Sequence, residues 1–110
     1  MIPITQKILD EMVLAIVNEV QPERIILFGS LARGDATQDS DIDLMVVEQE
    51  GFAKRSRWQE QQRIRKRLAH FPMAKDILVY SQDEVAQWCH SINHIVTHAM
   101  NEGKVLYEKH

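Results

Sequence analysis

Asp41 and Asp43 stand two residues apart at the head of an apolar run, Ile42-Asp43-Leu44-Met45-Val46-Val47. In an extended chain, residues i and i+2 point to the same side. The two carboxylates therefore project together while Ile42 and Leu44 turn to the core. Aspartate is depleted in strands, and two like charges side by side each raise the other's pKa. A carboxylate pair on one rigid strand can share divalent ions about 3.5–4 Å apart, the spacing used for in-line phosphoryl or nucleotidyl displacement. Taken alone, the pair also has a plainer reading, with Asp41 as a turn residue after Asp39-Ser40 and Asp43 solvated at a sheet edge.

The preceding turn weighs against the plainer reading. Gly29-Ser30 comes directly off the apolar run Ile25-Ile26-Leu27-Phe28 and leads into a small-residue segment. Backbone donors at such a helix start can receive phosphate oxygens. Ser30 adds a hydroxyl, and Arg33 adds a cation three residues on. The spacing is neither that of a P-loop nor that of a dinucleotide fingerprint, because no Gly-Lys-Ser/Thr follows and Gly29 and Gly34 do not give G-x-G-x-x-G. A third carboxylate, Asp76, opens the later apolar run Ile77-Leu78-Val79-Tyr80. If that run pairs with the one carrying Asp41 and Asp43, three anions converge, and a bound cation is the economical explanation. Asp76 as a simple strand opener after Lys75 is the alternative.

These residues need elements to hold them. Ile4, Ile8, Leu9, Met12, Val13, Ile16, Val17 and Val20 recur at three- and four-residue spacing and predict an amphipathic helix, stopped at Gln21-Pro22. Strands are expected over Arg24–Phe28, from about Ile42 to Glu48, over Asp76–Tyr80, and as a short edge strand over Lys104–Glu108. Between them, a charged helix is predicted from Phe52 to about His70, with Ile64, Leu68 and Phe71 as its apolar stripe. Ser81-Gln82-Asp83-Glu84 has the form of a capping box. One helix is expected to follow it, with Val85, Trp88, Cys89, Ile92, Ile95, Val96, Ala99 and Met100 on one side and Gly103 just past its end. The fold class is α/β: residues 1–110 as a single domain with one small mixed sheet and helices mostly on one face.

Composition sets outer bounds. The chain has 110 residues, 45% of them hydrophobic, which suits one core-forming domain. The single cysteine excludes an internal disulfide and zinc-ribbon spacing. Apolar runs of about four residues fall far short of the roughly 20 needed to span a bilayer. A cytoplasmic protein with no membrane association is expected. The formal charge of −3 argues against a polycation that seeks nucleic acid, and no direct nucleic-acid binding is expected.

The sequence Gly29-Ser30-x10-Asp41-x-Asp43, in the fuller form Gly-Ser-x-Ala-Arg-Gly followed by Ser-Asp-Ile-Asp-Leu, resembles the nucleotidyltransferase superfamily that includes DNA polymerase beta. More narrowly it is similar to minimal nucleotidyltransferase (MNT) domains, with Asp76 in the place of the third carboxylate. The resemblance implies ATP as substrate and two magnesium ions. Asp41 and Asp43 would hold both ions. Asp76 would complete the site of the ion that activates the acceptor hydroxyl, and would take its proton. Gly29 and Ser30 would hold the triphosphate, with Arg33 as a further phosphate contact. Larger relatives append a helical domain for RNA, DNA or antibiotic, and nothing in this sequence corresponds to one. Small members resemble antitoxins of HEPN/MNT toxin–antitoxin pairs, which adenylylate a HEPN-domain toxin on a hydroxyl side chain. The resemblance therefore implies a protein acceptor and an oligomer with that toxin. The alternative is a non-catalytic antitoxin that acts by occlusion.

Other features read more simply. His90, His94 and His98 would form a solvated stripe at i, i+4 and i+8, although the spacing could clasp a transition metal. Lys54, Arg55, Arg57, Arg63, Arg65, Lys66 and Arg67 would be a solvated basic helix face, with RNA or an acidic partner as the functional alternative. Trp58 falls off its helix's apolar stripe. Cys89 reads as a small buried hydrophobe.

Overall fold

The computed structural model describes residues 5–34, 41–53, 55–89, 91 and 94–109. Thr5 starts α1 (Gln6–Val20) by accepting the Ile8 amide, and Gln21 ends it in the left-handed region at φ 50°. Leu9, Met12, Ala15 and Ile16 are its buried face; Ile4 lies outside the described residues. The chain continues through β1 (Arg24–Phe28), α2 (Gly29–Arg33), β2 (Ile42–Glu48), α3 (Arg57–Arg67) and β3 (Lys75–Ser81). It then forms α4 (Gln82–Trp88), α5 (Ile95–Glu102) and β4 (Lys104–Glu108).

The strands make one mixed sheet in the order β3-β2-β1-β4. β1 runs antiparallel to both β2 and β4, whereas β2 and β3 are parallel. A parallel pair needs a long crossover, and α3 supplies it. β1 and β2 are buried on both faces. Ile25, Leu27, Ile42, Leu44 and Val46 pack with α1 and α3 residues, among them Met12, Ile16 and Ile64. Ile26, Phe28, Met45 and Val47 pack on the other side with Val85, Val96 and Ala99. α1 and α3 thus share one face and α4 and α5 cover the opposite one, so the helices are divided between two faces rather than gathered mostly on one.

Two helices depart from expectation. α3 begins at Arg57 rather than Phe52, because Ser56 caps it by accepting the Gln59 amide. Before that cap, Arg55 is drawn back to the carbonyls of Gly51 and Glu50. The single helix expected from Val85 to Met100 is two. His94 starts α5 as a cap, its Nδ1 accepting the Val96 amide at 3.1 Å. The Thr97 hydroxyl closes the gap, shared between the carbonyls of Trp88 and Ser91. His94 also stacks on Trp88 with ring centroids 4.7 Å apart. The expected stripe is thus interrupted before His94, whose carbonyl accepts the His98 amide at 3.2 Å in the first turn of α5, and His90 and Ile92 lie outside the described residues.

The capping box is present: Ser81 accepts the Glu84 amide, and the Glu84 side chain accepts the Ser81 amide. Gly103 does follow α5, but its φ of −79° is open to any residue. It is glycine for space, since a Cβ there would overlap the Ala99 carbonyl and Ile26 Cγ2. Among the described residues, no helix is long and apolar enough to cross a membrane.

Candidate active site

Register places the acidic residues. Phe28 at the end of β1 pairs with Asp43 of β2, and Asp43 pairs with Asp76 of β3. Asp43 and Asp76 are therefore neighbours across a parallel pair, on the side shared with Met45, Val47, Leu78 and Tyr80. Asp41 is exposed and lies one residue outside β2. The start of β2 is tied down by the Ile42 amide, which donates to the Ala74 carbonyl at 3.0 Å. Ser40 and Asp39 lie outside the described residues.

Gly29 sits against Asp43. Its φ is +73°, in the region that favours glycine, and a Cβ would overlap Asp43 Oδ2. The turn from β1 into α2 thus approaches the carboxylate as closely as a backbone can. Ser30 lies in the first turn of α2, whose N-terminus has no side-chain cap. Arg33, at the other end of α2, contacts Glu102 of α5 at 3.5 Å, and its charge also acts on Asp43.

The electrostatics follow from this packing. Partial burial raises the Asp43 carboxyl above its ordinary value, the charges of Asp76 and Asp41 raise it further, and Arg33 opposes them. Carboxylates clustered with a partly buried member make a hard-oxygen donor set of the kind that suits magnesium. Among the described residues, no group of three or more His, Cys, Asp and Glu stands in metal-holding geometry. Asp76 is instead turned toward Arg65 of α3, whose Nη2 lies 3.4 Å from Asp76 Oδ1. By sequence Arg65 is one member of a basic run from Lys54 to Arg67. Its proximity to Asp76 depends on α3 docking along β3, for which no local signal exists.

The rest of the basic segment is not a uniform charged face. Arg57 pairs with Glu84 and donates to the Val79 carbonyl. Arg55 bridges Glu48 and Glu60, and Arg63 reaches Glu19 and Glu60. Lys66 and Arg67 are exposed, whereas Lys54 lies outside the described residues. Trp58 is 66% exposed on α3. Cys89 is half-buried against the α4 and α5 cluster.

Comparison with known proteins identifies the family and the fold. The family model described as polymerase beta, nucleotidyltransferase, matches residues 11–110. A protein of Methanocaldococcus jannaschii provisionally named a protein adenylyltransferase is 37% identical over 57 residues, 52% of this chain and 54% of its own length. The chain thus spans about half of that relative, and a quarter of a second, similarly named one. A crystal structure from Sulfolobus solfataricus, provisionally named a nucleotidyltransferase, superposes with a TM-score of 0.66 at 19% identity, covering 94% of this chain and 79% of its own. A toxin–antitoxin structure with AMP-PNP gives 0.57 at 20% identity, covering 91% and 73%. A complex of tri-AMPylated Shewanella oneidensis HEPN toxin with MNT antitoxin gives 0.54 at 18% identity, covering 96% and 74%. With the family model spanning β1 through β4, this chain belongs to the polymerase beta-type nucleotidyltransferase family.

Proposed function

We propose that the protein transfers AMP from ATP to a hydroxyl of a partner protein, and that this partner is a HEPN-family toxin. The observation that carries the chemistry is the row Gly29, Asp43, Asp76 across three adjacent strand ends, with Gly29 pressed against Asp43 and Asp76 in register beside it. The protein acceptor is supported by the names of the relatives and by the AMPylated HEPN toxin in a complex of the same fold. ATP as donor is supported by the AMP-PNP-bound neighbour.

In this reading Asp41, Asp43 and Asp76 would hold two magnesium ions. When bound, these supply positive charge for the developing negative charge on the phosphate oxygens. Gly29 and Ser30 present the amides of the turn to the triphosphate, and Arg33 adds positive charge at the other end of α2. The acceptor oxygen attacks the α-phosphorus, and the bond from that phosphorus to the β-bridging oxygen breaks. Pyrophosphate leaves with the electron pair, and Asp76 accepts the hydroxyl proton. Fixed positioning of acceptor and phosphate over the rigid sheet lowers the entropic part of the barrier.

The test is label transfer from α-labelled ATP and magnesium in the presence of the product of the adjacent gene. Label is expected on that protein, and is expected to vanish in an Asp41→Asn plus Asp43→Asn variant. Tight complex formation without label would overturn the enzymatic reading in favour of occlusion.

A further inference from the structure

We propose that Arg65 is a positioning residue that holds Asp76 as its counter-ion in the nucleotide-free protein and competes with a divalent cation for that carboxylate. The proposal rests on the adenylyl-transfer reading and adds the way in which the metal site is kept closed until nucleotide arrives.

The placement of Arg65 is set by a ladder along the sheet edge. β3 is an edge strand, and such edges need their backbone groups covered. α3 covers this one with side chains four residues apart. Arg57 donates to the Val79 carbonyl at 3.2 Å, and Gln61 donates to the Ile77 carbonyl at 2.8 Å. Arg65, the next rung, meets the Asp76 carboxylate instead of a backbone carbonyl. Two rungs thus fix the third, and the guanidinium is delivered to the site by helix register rather than by chance on a solvated surface.

Lys75, adjacent in sequence to Asp76, is committed elsewhere, because its ammonium donates to the carbonyls of Phe71 and Met73. Burial and the charge of Arg65 both lower its pKa. Asp76 therefore faces Asp43 on one side and Arg65 on the other. The Arg65 and Asp76 side chains remain 39% and 51% exposed and share one contact of 3.4 Å. An open, single-contact pair of this kind exchanges readily. A guanidinium cannot deprotonate to make way, so a cation arriving alone at Asp76 meets its positive charge. A nucleotide brings negative charge that offsets it, and metal uptake becomes coupled to nucleotide binding.

Manganese binding to the nucleotide-free full chain, read from the EPR signal of free Mn2+, tests this without any activity measurement. Arg65→Gln is expected to bind Mn2+ about fivefold more tightly than wild type, the size of effect open to one half-exposed ion pair. Arg65→Lys should stay near wild type. Lys66→Gln, which removes an equal charge one residue away, should change nothing. Adding Asp76→Asn to Arg65→Gln should erase the gain, as coupling between two touching residues requires. A thermal melt verifies folding of each variant, and Arg65→Met repeats the measurement if the glutamine variant fails to fold. Unchanged or weaker binding in Arg65→Gln, or an equal gain in Lys66→Gln, overturns the proposal. If neither wild type nor Arg65→Gln binds Mn2+, with or without AMP-PNP, the metal site itself is wrong and the adenylyl-transfer reading falls with it.

Discussion

Asp43 carries the sharpest conflict between stability and chemistry. Its carboxyl is raised from the ordinary value first by burial, then by Asp76 and Asp41. A raised carboxylate pKa means that the folded state prefers the proton. The ionised group therefore weighs against folding above the folded-state pKa, and this penalty fades as pH falls through that value. Groups strained in this way cluster at functional sites. Asp43→Asn is accordingly expected to raise the melting temperature of the cation-free protein at pH 7 by about 3 °C, while lowering adenylyl transfer by roughly 1,000-fold. Paired melts and label-transfer assays check both halves. A melting temperature that falls instead would show that the carboxylate is well accommodated. The sequence singled out Asp41, Asp43, Asp76, Gly29, Ser30 and Arg33. The fold brings Asp43, Asp76 and Gly29 into direct neighbourhood and leaves Asp41 just outside the strand. The opposition of Arg65 to Asp76 had no sequence signal, because the two stand eleven positions apart across the helix end and the turn into β3.

At the level of elements, most boundaries followed from local rules. β1, β2 and β4 span the residues expected, since each is a β-rich run bounded by proline, glycine or acidic turns. The errors fell where two patterns coexist. An apolar stripe runs on from Val85 to Met100, but His94 and Thr97 bond to backbone and split the helix in two. Arg57 and Glu84 tie three elements together: Arg57 belongs to α3 and reaches β3, while Glu84 closes the capping box of α4. Burial alone would raise the Glu84 carboxyl, but its bonds to the Ser81 amide and to Arg57 outweigh it and hold the pKa below 4.5. A depressed pKa stabilises the folded state fully above the unfolded value and is lost as pH falls through the folded one. Glu84→Gln keeps the capping geometry and removes the charge. With Arg57 36% exposed, solvent screening limits the expected loss to about 0.5–1 kcal/mol at pH 7. In urea melts at several pH values the difference from wild type should shrink below about pH 4.5. A difference constant with pH would assign the effect to the cap alone.

For the molecule as a whole, the arrangement that matters is a sheet buried on both sides with the proposed site at one end. Leu44 and Met45 are adjacent, each wholly buried, and face opposite cores. Leu44→Ala and Met45→Ala are each expected to cost about 2–5 kcal/mol in urea denaturation. A negligible loss for Met45→Ala would mean that α4 and α5 only rest on the sheet. The sequence by itself determined the α/β class, the strands and the acidic motif, because strand periodicity, turn residues and caps act over a few positions. It also carried the family resemblance, which lies in a short contiguous motif. Only the tertiary structure decided that β2 and β3 run parallel in the register that sets Asp43 beside Asp76. It also decided that Gly29 closes against that pair, that both sheet faces are covered, and that α3 lays an arginine on the third carboxylate. Those are contacts between segments distant in sequence, fixed by how the sheet edge and the two apolar faces are covered together.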